Sequence, residues 1–134
     1  MTCKLKIKIE QGAIDGRTML VELMAGSEKT SFNESIEKDI KLPCSVSLLF
    51  SGKNNATDTI VDQDNNIVAD MYTKILSIEL DGISIPEVYI QKYLGIDTGE
   101  QKIYSSYIGF NGKMTLEFQE STLFQEINRI RHLT

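Results

Sequence analysis

The segment "CKLKIKIE", residues 3–10, decides the fold, because apolar and charged residues alternate along its whole length. One face carries three lysines, and the other carries four apolar side chains: Cys3, Leu5, Ile7 and Ile9. Successive side chains of a β-strand point to opposite faces, so a period of two predicts a strand with one buried face. We expect the lysines to protect an edge strand from pairing with other chains.

The same alternation recurs in three other segments, "SVSLLFSG" (45–52), "KILSIELDG" (74–82) and "KMTLEFQ" (113–119). In the second of these, Leu76, Ile78 and Leu80 would share one face. Roughly seven to nine short strands with frequent turn signals predict an all-β, jelly-roll-like β-sandwich. A length of 134 residues without a linker fits a single domain over residues 1–134. Eight residues are expected to be buried: Leu5, Ile7, Val46, Leu48, Ile78, Leu80, Leu116 and Phe118.

A hairpin is predicted at Asn111–Gly112, which separates "KIYSSYIGF" from "KMTLEFQ". Asn-Gly is favoured in a type I′ turn because both central residues need positive φ. Asp15–Gly16 and Asp81–Gly82 are turn signals of the same kind.

Two segments carry helix signals. In the C-terminal tail, Thr122 and Gln125 can form a capping box, and an apolar stripe follows at helical spacing, which predicts a short C-terminal helix. The segment "ISIPEVYIQKYLG" (83–95) leaves two alternatives open. It forms either a short helix that starts at Pro86 and ends at Gly95, or an extended loop.

Composition limits the classes of partner. A net charge of −5 argues against nucleic acid, because neutralising phosphates requires a surplus of Lys and Arg. No apolar run follows Met1, and none is long enough to span a membrane, so we expect no signal peptide, no membrane partner and synthesis in the cytoplasm. Cys3 and Cys44 match no metal spacing and are expected to be reduced thiols.

Signatures of catalysis are absent from the sequence. It contains no GxSxG, no HExxH and no glycine-rich phosphate loop. His132 is the single histidine, and no nucleophile or metal ligand lies near it in sequence. We therefore expect a protein that is not an enzyme.

An acidic run, "DTIVDQDNNIVADMY" (58–72), is the main candidate for chemistry, and it contains no basic residue. It does not match a helix–loop–helix calcium loop, because Ile67 stands in place of the glycine and Thr73 in place of the glutamate. The first alternative is a hairpin turn at "DQDNN", since Asp and Asn bond to nearby backbone and tolerate positive φ. The second is a calcium site of about 10⁻⁴–10⁻³ M affinity. Its ligands would be Asp58, Asp62, Asp64, Asn66 and Asp70.

Exposed tyrosines provide a second candidate site, because an aromatic face can cover the apolar face of a sugar ring. Tyr72, Tyr89 and Tyr93 lie in or near predicted loops and are the candidate ligand-binding residues. Tyr104 and Tyr107 are three residues apart in a predicted strand and would point to opposite faces. Tyrosine also fills sandwich cores with its hydroxyl at the surface.

The order of these segments resembles two groups of β-sandwich proteins. Between Pro43 and Phe118, "SVSLLFSGK" is followed by "NNATDT", "VDQDNNIVADMY", "KILSIELDGI" and "GFNGKMTLEF". This order is similar to that of calcium-dependent carbohydrate-binding modules of the xylan-binding type. It is also similar to that of small β-sandwich proteins of marine T4-like phages.

Each resemblance implies a function. The phage proteins imply an accessory or host-interaction role in the virion that requires no chemistry. The corresponding expectation is a non-enzymatic structural or interaction protein on a β-sandwich scaffold that associates with itself. The binding modules imply the alternative, a carbohydrate-binding module with a calcium or sugar site in the loops from Asp58 to Asp70. A protein or a carbohydrate is therefore the expected partner, and calcium is the one cofactor to test.

Overall fold

Thirteen short strands and two helices make up the computed structural model, which describes residues 1–54 and 57–134. The strands are β1 (Thr2–Gly12), β2 (Leu20–Ala25), β3 (Glu28–Ser31), β4 (Ser35–Lys41), β5 (Cys44–Ser51), β6 (Thr59–Val61), β7 (Ile67–Asp70), β8 (Tyr72–Leu80), β9 (Ile83–Ser84), β10 (Ile96–Asp97), β11 (Lys102–Ile103), β12 (Tyr107–Ile108) and β13 (Gly112–Phe118). The helices are α1 (Glu87–Tyr93) and α2 (Leu123–Leu133).

Two antiparallel sheets enclose the core. The first has the strand order β12–β8–β1–β4, with β9 also paired to β8. The second has the order β11–β10–β13–β5–β2–β3, and β6 and β7 pair with each other in a separate two-stranded ribbon. The predicted all-β, jelly-roll-like sandwich with a C-terminal helix is confirmed.

Alternating strands supply the core as expected. All eight residues predicted to be buried are buried, and none exposes more than 4% of its surface. They lie in β1, β5, β8 and β13, two strands from each sheet. Full burial of such an aliphatic or aromatic side chain stabilises the fold by about 1.5–3 kcal/mol.

The position of β1 in the first sheet differs from the sequence prediction. It lies between β8 and β4, so it is not an edge strand. The Nζ atoms of Lys4 and Lys6 lie 3.7 Å and 3.6 Å from the Glu37 carboxylate of β4. These lysines therefore make cross-strand ion pairs, which contribute little stability at an exposed surface.

A bulge in β8 accounts for Leu76, which is 54% exposed rather than buried. Ile7 pairs with Ile78 while Ile9 pairs with Ile75, so β8 has one extra residue against β1. The extra residue lets Ile75 and Ile78, three apart in sequence, both face the core.

The hairpin prediction at Asn111–Gly112 is wrong. The segment before it, β12, pairs with β8 in the first sheet, whereas β13 pairs with β5 and β10 in the second. Among the described residues, positive φ falls at other positions. Asn111 instead exchanges two hydrogen bonds with the backbone of Lys53, at 3.0 Å and 2.9 Å.

Glycine is required at position 112 because β10 lies close to its backbone, not because the chain turns there. A Cβ atom at this position would lie 2.6 Å from Cγ2 of Ile96 and 2.9 Å from the carbonyl oxygen of Asp97. The chain crosses between the sheets just before this point, and β10 packs against the strand that follows.

The two Asp-Gly turns are confirmed. Asp15 and Gly16 have φ values of 51° and 75°, and Asp81 and Gly82 have values of 48° and 80°. Positive φ at both central residues is the type I′ requirement.

Both helices agree with the sequence signals. Of the two alternatives for residues 83–95, the helical one is correct: α1 spans Glu87–Tyr93, and Pro86 directly precedes its first residue. In α2 the Thr122 hydroxyl accepts a hydrogen bond from the Gln125 amide, which is the predicted cap. A feature that the sequence did not indicate is the buried Glu126 carboxylate, which accepts from the amides of Gln119 and Glu120.

Neither cysteine is in a disulfide. Cys3 is buried and Cys44 is half-buried, and both are free thiols. Burial raises the pKa of the Cys3 thiol to about 11, which makes it a poor nucleophile at neutral pH. No helix within the described residues has the length and apolarity needed to cross a membrane.

Glycine has two roles in this fold: it adopts positive φ in a turn at Gly82, and it leaves room for a neighbouring strand at Gly112. Substitution by Asn distinguishes these roles. Asn tolerates positive φ, so Gly82→Asn should cost less than about 1 kcal/mol, since nothing lies within 4 Å of the added Cβ. Gly112→Asn should cost about 1–3 kcal/mol because its Cβ meets β10. Chemical denaturation of both variants measures the difference. Equal stability of the two would restore the turn interpretation of Gly112.

Candidate functional site

The acidic run forms the ribbon β6–β7 and its turn. One oxygen of Asp62 accepts hydrogen bonds from the amides of Asp64 and Asn66, at 2.8 Å and 3.0 Å. Asn65 has a φ of 63°. These are the side-chain-to-backbone bonds and the left-handed residue that the hairpin-turn alternative required.

Asp58 lies apart from this turn and is fully buried. Its carboxylate accepts from Nη2 of Arg17 at 2.7 Å and from the Asn54 amide at 2.9 Å. The hydrogen bond from Arg17, followed by that from the Asn54 amide, holds the pKa of Asp58 below its ordinary value. The carboxylate therefore fixes the start of the ribbon to the turn between β1 and β2.

Asp70, at the end of β7, is also enclosed by donors. Its Oδ1 accepts from Nζ of Lys53 at 2.5 Å and from the Thr59 hydroxyl at 2.7 Å. Its Oδ2 accepts from the Tyr107 hydroxyl at 2.6 Å. Burial raises the pKa of Asp70, but the hydrogen bonds, led by that from Lys53, outweigh it and leave the pKa below its ordinary value.

The five candidate metal ligands are thus distributed over three places. Asp58 and Asp70 are each paired with a cation from outside the run, and Asp62, Asp64 and Asn66 belong to the exposed turn. Within residues 1–54 and 57–134, no three acidic, histidine or cysteine side chains are placed to hold a metal ion.

Tyr72, the first candidate ligand-binding tyrosine, packs against its neighbours and hydrogen-bonds to one of them. Its ring stacks on Tyr107 with centroids 4.7 Å apart, and its hydroxyl donates to Glu10 at 3.1 Å. A Cβ at Gly12 would lie 2.1 Å from the Tyr72 ring, so the ring rests on the glycine backbone. The stack places Tyr72 beside Tyr107, whose hydroxyl donates to Asp70 and whose side chain is 43% exposed.

Tyr89 and Tyr93 lie on α1 and stack with centroids 5.3 Å apart. Tyr89 is buried, whereas Tyr93 is 47% exposed and borders an open groove of about 700 Å³. The groove lies between α1, α2 and the outward side chains of β13.

Tyr104 is the groove residue that the sequence analysis missed. It is 51% exposed and lies in the crossing segment between β11 of the second sheet and β12 of the first. It is therefore not in one strand with Tyr107. The ring passes over Gly95, where an added Cβ would lie 3.0 Å from it. The sequence pattern indicates Gly95 only as a helix end, whereas in the structure the lack of a Cβ atom at this glycine makes room for the Tyr104 ring.

Polar side chains complete the groove. Asp97 is the register partner of both Lys102 and Lys113, so the three stand side by side across β11, β10 and β13. Thr115, Glu117 and Gln119 continue along the same face. The groove therefore offers two partly exposed aromatic faces with hydrogen-bond donors and acceptors of both charges around them.

Comparison by sequence finds no matching family model and no matching curated protein. Comparison by structure finds the selenomethionine form of vCBM60, from work linking two families of calcium-dependent carbohydrate-binding modules by circular permutation. The TM-score is 0.52 at 10% identity, covering 87% of this chain and 91% of that one. This likeness supports the β-sandwich fold.

The Asp58–Arg17 pair predicts a specific acid response. A carboxylate with a depressed folded pKa stabilises the fold fully above its unfolded pKa, near 3.9, and loses that contribution as pH falls through the folded pKa. Asp58→Asn should therefore melt lower than wild type at pH 7, with the two melting temperatures converging as pH falls from about 4 to 2.

Thermal melts between pH 7 and 2 measure this convergence. Asp64→Asn, in the exposed turn, is the matched control and should leave the curve unchanged. Parallel curves for wild type and Asp58→Asn would show that the buried carboxylate is not the acid-sensitive group.

Proposed function

We propose that this protein is a non-enzymatic carbohydrate-binding domain that holds a short oligosaccharide in the groove beside α1. The observation that carries the proposal is the pair Tyr93 and Tyr104, each about half exposed and both lining the same groove. The lining follows the outward face of β13 from Lys113 to Gln119, which gives room for more than one sugar unit.

The chemistry of the groove suits a sugar. A pyranose has an apolar face that packs on an aromatic ring and equatorial hydroxyls that need donors and acceptors at the rim. Asp97, Lys102 and Lys113 supply both kinds of group next to the rings. An open groove of this kind favours binding along a polymer over enclosure of a single monosaccharide.

The similarity to vCBM60 supports the proposal at the level of the fold, because that protein is described as a carbohydrate-binding module. We propose that the residues described in this chain do not share its calcium dependence. A calcium ion takes 6–8 oxygen ligands, whereas the buried carboxylates here are already paired with Lys53 and Arg17. We therefore propose sugar binding that requires no calcium ion at Asp58 or Asp70.

Removing either exposed ring should weaken binding. With a panel of neutral and uronic-acid oligosaccharides, we expect calorimetry to identify a ligand whose affinity falls about tenfold or more in Tyr93→Ala and in Tyr104→Ala, since tenfold corresponds to about 1.4 kcal/mol. Phe124→Ala is the control, because Phe124 is 76% exposed on α2 outside the groove lining.

Tyr104→Phe should retain most of the affinity if stacking dominates. Undiminished binding in both alanine variants, or an equal loss in Phe124→Ala, would remove the groove as the site.

A second candidate function is self-association through the ribbon β6–β7. Ile60, Val61, Ile67 and Val68 in this ribbon are each between 44% and 64% exposed. Val61 and Ile67 are register partners, so the ribbon presents at least this cross-strand apolar pair to solvent. Exposed apolar side chains are typical of protein contacts, and a ribbon with no third strand among the described residues can pair with a second copy.

Sedimentation of the purified protein tests this candidate. We expect wild type to show a concentration-dependent dimer and Ile67→Thr/Val68→Thr to remain monomeric, since threonine keeps the β-branched shape but removes apolar surface. Lys29→Thr on exposed β3 is the control for a substitution elsewhere on the surface. A monomer at all concentrations in wild type would contradict self-association.

A further inference from the structure

Lys53 is a buried cation in the loop that follows β5. Its side chain is 2% exposed, and its Nζ donates to Oδ1 of Asp70 at 2.5 Å and to the Gly109 carbonyl at 2.6 Å. A buried charge is tolerated only when it is paired and hydrogen-bonded. Both conditions are met here, so the ammonium is a structural element of the folded loop.

Oxygen atoms from three separate segments gather around this ammonium and its carboxylate partner. Thr59 and Tyr107 donate to the same Asp70 carboxylate that Lys53 binds, and Gly109 offers its carbonyl. Gly109 also provides the space, since a Cβ there would lie 3.3 Å from Nζ of Lys53 and 3.1 Å from Oδ2 of Asp70. The contacts join the loop after β5, both strands of the ribbon and the segment around β12.

Joining distant loops through oxygen ligands is what a bound metal ion does in many small β domains. We propose that the Lys53 ammonium is the resident cation of this fold, ordering the loops so that neither folding nor ligand binding requires calcium. One ammonium balances one carboxylate. A divalent ion at the same oxygens would face the adjacent ammonium with a single carboxylate to offset both charges.

Thermal melts of four proteins test the proposal. Wild type should melt at the same temperature, within about 1 °C, in 10 mM calcium and in chelator. Lys53→Met keeps the apolar stem but leaves Asp70 unpaired, so it should melt lower by about 10 °C or more. Lys29→Met, an exposed lysine of β3 with the same change in charge, should melt like wild type.

The double variant Lys53→Met/Asp70→Asn separates charge from packing. Removing both charges should recover part of the loss, because no buried ion is left uncompensated. If the double variant is no more stable than Lys53→Met, or if Lys53→Met melts like wild type, the ammonium is not the ordering cation.

The wild-type measurement decides the calcium question even if Lys53→Met does not fold. A melting temperature that rises with calcium and falls in chelator overturns the proposal. This outcome is separate from the sugar-binding result, because the melts contain no carbohydrate. If a sugar ligand is found, its affinity in chelator should match that in calcium.

Discussion

Charge pairing at the places where the chain leaves its sheets is the constraint on which this structure depends. Alternating strands bury apolar side chains with little difficulty, but the connections also bury carboxylates, and a buried carboxylate needs a partner. Asp58 meets Arg17, Asp70 meets Lys53, and Glu126 meets Arg129. Every buried side-chain nitrogen and oxygen within the described ranges has a hydrogen-bond partner.

The Asp58–Arg17 and Asp70–Lys53 pairs connect segments that are far apart in sequence and are not paired as strands, whereas Glu126–Arg129 lies within α2. Arg17 and Asp58 are 41 residues apart, and Lys53 and Gly109 are 56 apart. Both contacts hold the ribbon β6–β7 at its base, where Thr59 and Asp70 are register partners. The opposite end of the ribbon is the exposed turn from Asp62 to Asn66.

Local pattern explains which parts of the fold could be predicted. The period of two in β1, β5, β8 and β13 identified the core because, within each strand, the apolar residues of the alternating pattern are the ones that face the interior. The Asp-Gly turns were predictable because positive φ is a property of the turn itself. At Asn111–Gly112 the turn-forming residue types were misleading. The Asn111 side chain hydrogen-bonds to the backbone of Lys53, and Gly112 makes room for β10.

The site was harder to predict for the same reason. The hairpin-turn alternative for the acidic run was predictable because the bonds of Asp62 are local. The partners of Asp58 and Asp70 were not predictable, because both cations lie outside the run. Tyr93 was among the candidate ligand-binding residues because of its position near a predicted loop. Tyr104 was not, because its exposure depends on Gly95 in another segment and on a crossing between sheets.

The proposed sugar groove and the Lys53 contacts share no residue, and this separation has a physical consequence. In the groove, Asp97 and two lysines remain on an exposed face, where charges keep their hydration until a ligand replaces it. Around Asp70, every strong acceptor is already used inside the protein. In the proposed arrangement, the cation that orders the loops therefore belongs to the folded chain itself, and the groove recognises its ligand through aromatic faces and hydrogen bonds.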